Sequence, residues 1–136
     1  MRKETLSLST RSRTEFVPVS RLVQKTLQRW GVQDGICTIY VPHTTAGIFI
    51  NEGYDPDVMR DMEMMLDKVI PWSAGYRHSE GNAAAHIKAA LIGNSRQVIV
   101  EKGELVLGQW EEIFFAEFDG PRSRRMIVAL MGEEKG

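Results

Sequence analysis

Three histidines are the residues of this chain whose type and setting most readily support chemistry. His43 lies in the segment PHTTAG, His78 in GYRHSEGN and His86 in NAAAHIKAALIG, so each is a small polar position in apolar sequence. Imidazole titrates near neutral pH and is the commonest metal ligand in proteins. Three imidazoles can hold a divalent ion, zinc or magnesium in the first instance, and leave open positions for water or a phosphate oxygen. We therefore predict that His43, His78 and His86 share one metal site.

Two other interpretations of the histidines stay open at this point. The same residues would serve a phosphate as well as a metal, and their spacing matches no short metal motif such as HExxH. Alternatively, each histidine satisfies a local hydrogen bond inside the core. His86 favours a function, because its helical segment holds only one other ionisable residue, Lys88, and a buried imidazole needs a partner.

Several polar residues near the histidines in the sequence are typical of anion binding. Thr44 and Thr45 follow His43 directly, and their hydroxyl and amide groups can hold a phosphate. Asn82 opens a predicted helix, whose N-terminus favours negative charge. Arg122 can clamp an oxyanion with two parallel hydrogen bonds.

Four acidic or amide residues complete the predicted catalytic set. Asn51 and Glu52 end a predicted strand, and Asp61 lies at the edge of an apolar helix stripe. Glu117 shares the phase of apolar residues on its strand. We expect Asp119-Gly120-Pro121 to be a simple turn and Arg124-Arg125 to be a solvated strand edge.

Length and composition limit the functions that this chain can have. The 136 residues fit one domain, and a net charge of −1 argues against a general nucleic-acid binder. No apolar stretch approaches the roughly twenty residues of a membrane span, and the N-terminus lacks a signal-peptide core. The single Cys37 forms no internal disulfide. We therefore expect a cytoplasmic protein with no membrane or nucleic-acid partner.

Hydrophobic periodicity predicts the elements that must position these residues. A helix over 20–30 has Ser20 as its cap and Gly31 at its end. A helix over 56–70, capped by Asp55, has the core stripe Val58, Met62, Met65, Leu66 and Val69. A third helix, from about 82 to 92, is apolar nearly all round and is predicted to be central.

Alternating segments predict about eight strands, clustered rather than strictly alternating with the helices. In WEEIFFAEF both strand faces are apolar at the centre, which indicates burial between two layers. The sequence therefore predicts a single-domain α+β fold, residues 1–136, with largely antiparallel sheets and about three helices.

Five segments together resemble one known family. They are HTTAGIFINE, YRHSEGNAAAHIKAALIG, GELVLGQWEEI, EFDGPRSRR and the helix that contains Asp61. Their order and intervals are similar to those of the YjbQ-like family, also described as secondary thiamine-phosphate synthases. The resemblance implies an α+β sandwich, a homotrimer, and a cleft formed by its motif residues, which here are His43, Thr45, Asn51, Glu52, Asp61, His78, Asn82, His86, Trp110, Glu117 and Arg122.

One stretch departs from the family pattern. Where the family commonly has Gly-Thr-Trp-Gln, this chain has Gln109 in place of the threonine and Glu111 in place of the glutamine. A carboxylate at position 111 can alter a hydrogen bond or add a charge that faces a metal.

The resemblance implies a transferase activity that is weak or secondary: joining a pyrimidine diphosphate to a thiazole phosphate with loss of pyrophosphate. In that scheme the histidines bind metal or phosphate, Asp61 or Glu117 orients an imidazole, and Arg122 meets a phosphate. The alternatives are a binding module that senses a metal or an anionic metabolite, and a purely structural role for the histidines.

Overall fold

The computed structural model describes residues 1–134, which form eight strands and three helices. The strands are β1 (Arg2–Ser9), β2 (Glu15–Pro18), β3 (Val32–Tyr40), β4 (Ala46–Glu52), β5 (Ser95–Glu101), β6 (Glu104–Leu105), β7 (Glu111–Glu117) and β8 (Ser123–Glu134). The helices are α1 (Ser20–Trp30), α2 (Pro56–Val69) and α3 (Ala83–Ile92).

The strands form two antiparallel sheets. The larger sheet has the order β1-β8-β3-β5-β6 and the smaller sheet has the order β2-β7-β4. Every strand pairing in both sheets is antiparallel. The predicted α+β fold with antiparallel sheets is therefore confirmed.

Strand β7 has a different apolar core on each face. Ile113 and Phe115 belong to the core between the two sheets and α1. Phe114 and Ala116 belong to a second core, against which residues of α2 and α3 pack. The predicted burial of this strand between two layers is confirmed, since alternate side chains on a strand point to opposite faces.

Helix α1 begins and ends close to the predicted bounds, but Ser20 is not its cap. The N-cap residue is Val19, without a side-chain hydrogen bond, and Ser20 is the first helical residue. The Ser20 hydroxyl instead accepts the backbone N–H of Ile113 at 2.8 Å and so ties the helix to β7. Gly31 ends the helix in the left-handed conformation, as predicted.

Helix α2 has the predicted cap and only part of the predicted core stripe. Asp55 accepts the backbone N–H of Asp57 at 2.9 Å, ahead of Pro56. Met62 and Leu66 pack against the second core. Met65 and Val69 are 48% and 66% exposed, so their assignment to the stripe was wrong. The helix lies on the outside of the fold, where a narrow stripe is sufficient.

Helix α3 lies on one face of the small sheet and is not central, in contrast to the prediction. Ala85 and Ala89 face the second core, while Ile87 and Leu91 are exposed. Lys88 is buried on the inner side, where its ammonium group pairs with the Asp67 carboxylate of α2. Small residues on a helix allow close packing, and their apolar character does not by itself mean burial on every side.

A close backbone approach fixes α3 against β4. The backbone N–H of Ile48 donates to the Gly93 carbonyl at 3.0 Å, just beyond the C-terminus of α3. A Cβ at Gly47 would lie 2.5 Å from the same oxygen, so only glycine fits there. Within residues 1–134, no helix is long and apolar enough to span a bilayer.

The buried thiol of Cys37 gives a direct test of this core. Burial raises the pKa of Cys37 to about 12, so the reactive thiolate is scarce at neutral pH. We expect a thiol reagent such as iodoacetamide to leave the native protein unmodified and to label Cys37 once denaturant unfolds the chain. Mass spectrometry after timed exposure measures this, and rapid labelling of the native protein would contradict the buried position.

Candidate functional site

All three histidines line one cleft, of about 410 Å³, at the end of the fold where β4 and α3 begin. The residues that line this histidine cleft are Pro42, His43, Thr44, Thr45, His78, Glu80, Asn82, His86, Arg122 and Arg124. A neighbouring hollow of about 360 Å³ continues along α3 and shares His43, Thr44 and His86. The structure therefore places the three histidines on one cleft lining, and their joint role as a binding site stays a prediction.

His43 is fixed by a backbone hydrogen bond from the adjacent sheet. Its Nε2 atom accepts the N–H of Arg125 at 3.0 Å. A backbone N–H only donates, so Nε2 must be unprotonated and the neutral ring carries its proton on Nδ1. Burial, reinforced by the charges of Arg124 and Arg125, lowers the pKa of His43 below its ordinary value. His43 therefore offers the cleft a neutral N–H donor.

His78 and His86 form a second pair of imidazoles. Their ring centroids are 5.1 Å apart and the rings meet edge to face. His78 comes from the loop before α3, and its side chain is 40% exposed. His86 lies one helical turn after the start of α3 and is half-buried. Both rings line the cleft and are partly accessible there.

A buried ion pair stands directly behind the cleft. Glu117, fully buried at the end of β7, accepts the Nε–H of Arg124 at 2.8 Å and the Thr10 hydroxyl at 2.7 Å. Burial alone would raise the pKa of Glu117, but the hydrogen bonds from Arg124, the Asp119 N–H and Thr10 outweigh it and leave that pKa below its ordinary value. Glu117 is thus an ionised structural anchor and does not line the cleft.

Arg124 connects this ion pair to the segment that contains His43. Its Nη2 atom donates to the Thr45 hydroxyl at 2.8 Å. Thr45 is therefore already engaged, while the exposed Thr44 remains the threonine available to a ligand. Arg124 itself is 6% exposed and lies in a central strand, so its assignment to a solvated edge was wrong.

Asn82, Asp119 and Arg122 form a second polar chain along the cleft. Asp119 Oδ2 accepts Asn82 Nδ2 at 2.8 Å and Arg122 Nη2 at 2.8 Å. Arg122 also donates from Nε to the Asp119 carbonyl, so it is held in place before any ligand binds. Asp119 therefore does more than form a turn, because it orients one cationic and one amide side chain.

The amide oxygen of Asn82 has no partner. Asn82 is 8% exposed and caps α3, yet its Oδ1 atom is buried without a hydrogen bond among the residues that the structure describes. An unsatisfied buried acceptor costs about 1–3 kcal/mol. The hydrogen bond to Asp119 identifies the nitrogen end of this amide. The other end is therefore the oxygen, which accepts hydrogen bonds, and a donor group or a cation would satisfy it.

The three histidines do not form the predicted set of metal ligands within the described residues. Across residues 1–134, no three His, Cys, Asp or Glu side chains are arranged to hold a metal ion. His43 explains this, because Arg125 occupies its Nε2 atom and Nδ1 carries the proton.

Three predicted site residues lie away from the cleft. Asp61 is exposed on α2, because it falls outside the narrow stripe that this helix buries. Asn51 and Glu52 end β4, whereas His43 precedes its start. Seven strand residues at about 3.3 Å each put roughly 20 Å between these two ends.

The end of β4 has its own polar and aromatic group. Glu52 pairs in register with Glu111, and the Glu111 carboxylate accepts the Gly108 N–H at 2.8 Å. Glu111, which stands where the family commonly has glutamine, thus closes a local turn. Tyr54 and Trp110 lie together there, with ring centroids 5.1 Å apart. We refer to Glu52, Tyr54, Trp110 and Glu111 as the aromatic end.

Arg124 is the functional residue that sequence reasoning missed, and a signal for it existed. Met126, Val128 and Leu130 are the inward residues of β8, and Arg124 shares their phase. A charged residue in an inward phase requires a buried partner. Glu117, in the inward phase of β7, is the matching charge.

The ion pair predicts a large stability effect. Glu117→Gln should lower the free energy of unfolding by about 3–5 kcal/mol, because Arg124 is left buried and uncompensated. The matched control is Glu4→Gln, which breaks the exposed pair between Glu4 and Arg29 and should cost far less. Urea unfolding of both variants measures the difference, and equal losses would contradict the structural role of Glu117.

The burial of His43 beside Arg124 and Arg125 predicts a pH dependence of stability. Because the folded protein lowers the pKa of His43, the unfolded chain takes up this proton first as pH falls through about 6.5. Stability of the wild type should therefore drop between pH 7 and pH 5. His43→Gln, whose amide can accept the same N–H without titrating, should lose less over that range. Parallel pH curves of thermal unfolding would contradict this.

Comparison with known proteins identifies relatives along nearly the whole chain. The family described as UPF0047 protein YjbQ-like matches residues 4–133. UPF0047 protein YugU of Bacillus subtilis is 49% identical over 130 residues, which cover 95% of this chain and 98% of that protein. A UPF0047 protein of Methanocaldococcus jannaschii is 45% identical over 127 residues, with 93% and 92% covered.

A solved structure agrees with this match. The crystal structure of an uncharacterised YjbQ/UPF0047 protein from Clostridium acetobutylicum has a TM-score of 0.92 and 49% identity, covering 94% of this chain and 99% of that one. Sequence and fold therefore lead to the same assignment. The chain belongs to the UPF0047 YjbQ-like family.

Proposed function

We propose that this protein is an enzyme that acts on a small phosphorylated metabolite bound in the histidine cleft. The observation that carries this proposal is the cleft itself, whose lining brings three histidines together with the half-exposed Arg122. Several polar and ionisable groups that converge on one concave surface are typical of a ligand site.

The phosphoryl group would bind on the Arg122 side of the cleft. Asp119 holds the Arg122 guanidinium in place, and the guanidinium remains half-exposed. The start of α3 adds the partial positive charge of a helix N-terminus. His43 contributes a neutral N–H donor, and Thr44 contributes an exposed hydroxyl. Arg122 and these donors suit a phosphate oxygen.

His78 and His86 would move protons. Both rings line the cleft, and imidazole is the side chain most often used as a general acid or base in enzymes. Glu80 Oε2 lies 3.9 Å from His78 Nε2 on the same lining. The buried pair of Glu117 and Arg124 would keep the floor of the cleft rigid.

Thiamine-phosphate synthesis is the best-defined reaction of this kind that the family resemblance implies. The thiazole nitrogen would form a C–N bond to the methylene carbon of the pyrimidine diphosphate, whose C–O bond breaks to release pyrophosphate. Arg122 would stabilise the charge on the departing diphosphate, and the cleft would align the two rings. We propose this as a secondary activity.

A divalent ion stays a prediction. Zinc would need imidazole ligands, and the engaged Nε2 of His43 does not fit that set. Magnesium would enter with the substrate phosphates. Elemental analysis of purified protein with and without pyrophosphate separates these cases.

We also propose, from the family resemblance, that the protein forms a homotrimer, and we propose that it is cytoplasmic.

Ligand binding tests the proposal directly. Calorimetric titration with pyrophosphate should show binding to the wild type, and Arg122→Gln should weaken it about tenfold to a hundredfold, the value of a lost charge-assisted hydrogen bond. Arg60→Gln, at an exposed arginine of α2 that pairs with Asp57, is the matched control and should bind normally. Equal affinity in all three proteins would refute an anion site at Arg122.

Turnover separates an enzyme from a binding module. The wild type is incubated with pyrimidine diphosphate and thiazole phosphate, and product is followed by mass spectrometry. We expect slow product formation that His86→Ala abolishes while pyrophosphate binding persists. Binding without product, across a panel of phosphorylated compounds, would instead support the sensor alternative.

A further inference from the structure

The hollow beside the histidine cleft is lined mostly by small side chains. It has a volume of about 360 Å³ and shares His43, Thr44 and His86 with the cleft. We refer to it as the alanine hollow, because its other lining residues are Ala46, Ala89, Ala90, Gly93 and Asn94. Among the described residues on this lining none is an aspartate, glutamate, lysine or arginine, whereas the cleft lining includes Glu80, Arg122 and Arg124. The charged cleft and the alanine hollow therefore meet at the histidines.

Ala90 is small although the packing of α3 does not require it to be. Ala89 belongs to the second core and is 6% exposed, so the close fit of α3 on the small sheet explains its size. Ala90 is exposed, and other exposed positions of the same helix hold the large residues Ile87 and Leu91. Because Ala90 lines the alanine hollow, a longer side chain at this position would occupy that space. Alanine is thus the residue that keeps the hollow open.

The main chain at the far end of the alanine hollow is held in place by hydrogen bonds. The Ile48 N–H donates to the Gly93 carbonyl at 3.0 Å, and the Val41 N–H donates to the Asn94 carbonyl at 2.8 Å. Seven residues separate His86 from Gly93, which is about 10 Å along a helix. The hollow is therefore preformed, as ligand pockets usually are, and admits only a short group beyond the histidines.

We propose that the alanine hollow binds the part of the ligand that is not phosphorylated, and that this part is a small apolar ring. Apolar surface that leaves water for a lining of methyl groups lowers the free energy of the complex. Apart from the two histidines, only Thr44 and Asn94 offer hydrogen-bonding side chains on this lining, which is too few for a polyol such as a sugar.

This inference rests on the proposed function for the phosphate and adds the chemical class of the rest of the ligand. The phosphate would lie at Arg122, on the charged side, and the ring would lie beyond His43 and His86 against Ala90. The cleft thereby selects phosphate esters of ring compounds over sugar phosphates.

Two phosphate monoesters test this selectivity in the wild type. Phenyl phosphate carries an apolar ring and glycerol phosphate carries a polar chain, whereas the phosphate group is the same in both. Calorimetric titration should give phenyl phosphate an affinity about tenfold to a hundredfold higher, the effect of burying a ring of the size found in phenylalanine. Equal affinities, or tighter binding of glycerol phosphate, would overturn the inference.

A variant that fills the alanine hollow tests where the ring lies. Ala90→Phe changes an exposed position of α3, so the chain should still fold, which circular dichroism checks. We expect its affinity for phenyl phosphate to fall to that for glycerol phosphate. Leu91→Phe is the matched control, because it adds a ring at an exposed position of the same helix outside the lining, and it should keep the wild-type preference.

The outcomes separate this inference from the proposed function. A preference for phenyl phosphate that persists in folded Ala90→Phe would overturn the placement of the ring in the alanine hollow. Binding of pyrophosphate without a preference between the two esters would overturn the inference and leave the anion site at Arg122 intact. If neither ester nor pyrophosphate bound, the proposed function itself would be refuted, and the inference with it.

Discussion

The ion pair between Glu117 and Arg124 is the interaction on which the rest of the site depends. It joins the end of β7, the start of β8, the residue after β1 and the segment before β4, through Thr10 and Thr45. Removing two charges from water is costly, and their attraction offsets that cost only when the remaining hydrogen-bonding groups are also satisfied. Here the carboxylate accepts four hydrogen bonds, so the four segments are held in one arrangement.

This arrangement determines where the cleft lies. β8 begins immediately beside the pair, and its Arg125 N–H fixes the ring of His43. The Asp119 N–H donates to Glu117, and the Asp119 carboxylate orients Asn82 and Arg122. The polar groups of the cleft are thus arranged around one buried ion pair.

Local sequence signals predicted the fold well, because they depend on neighbours along the chain. The apolar centre of WEEIFFAEF identified β7 as a strand with two buried faces, and Asp55 and Gly31 marked helix ends. Polar residues in apolar segments also indicated a shared histidine site, which stays a prediction although the three residues line one cleft. These features follow from hydrophobic periodicity, helix capping and the free-energy cost of burying polar groups. All three can be evaluated from the sequence alone.

The positions of several site residues depend on tertiary packing and could not be predicted from the sequence. Whether Asp61 reaches the cleft depends on the width of the stripe that α2 buries, and this width is set by what covers the helix. Asn51 and Glu52 lie in a polar motif beside His43 in the sequence, but an extended strand separates them in space. The role of Arg124 required knowing that β8 is a central strand, which sheet order alone establishes.

The contact between Gly47 and Gly93 has a consequence for how the site tolerates change. His43 and His86 lie on segments whose separation is set where one main chain touches another, with no side chain in between. Substitutions in the surrounding core can alter volume and still leave that spacing unchanged. One spacing in the frame of the cleft is thus set by main chain alone, whereas the lining residue Arg124 must be retained for its ion pair.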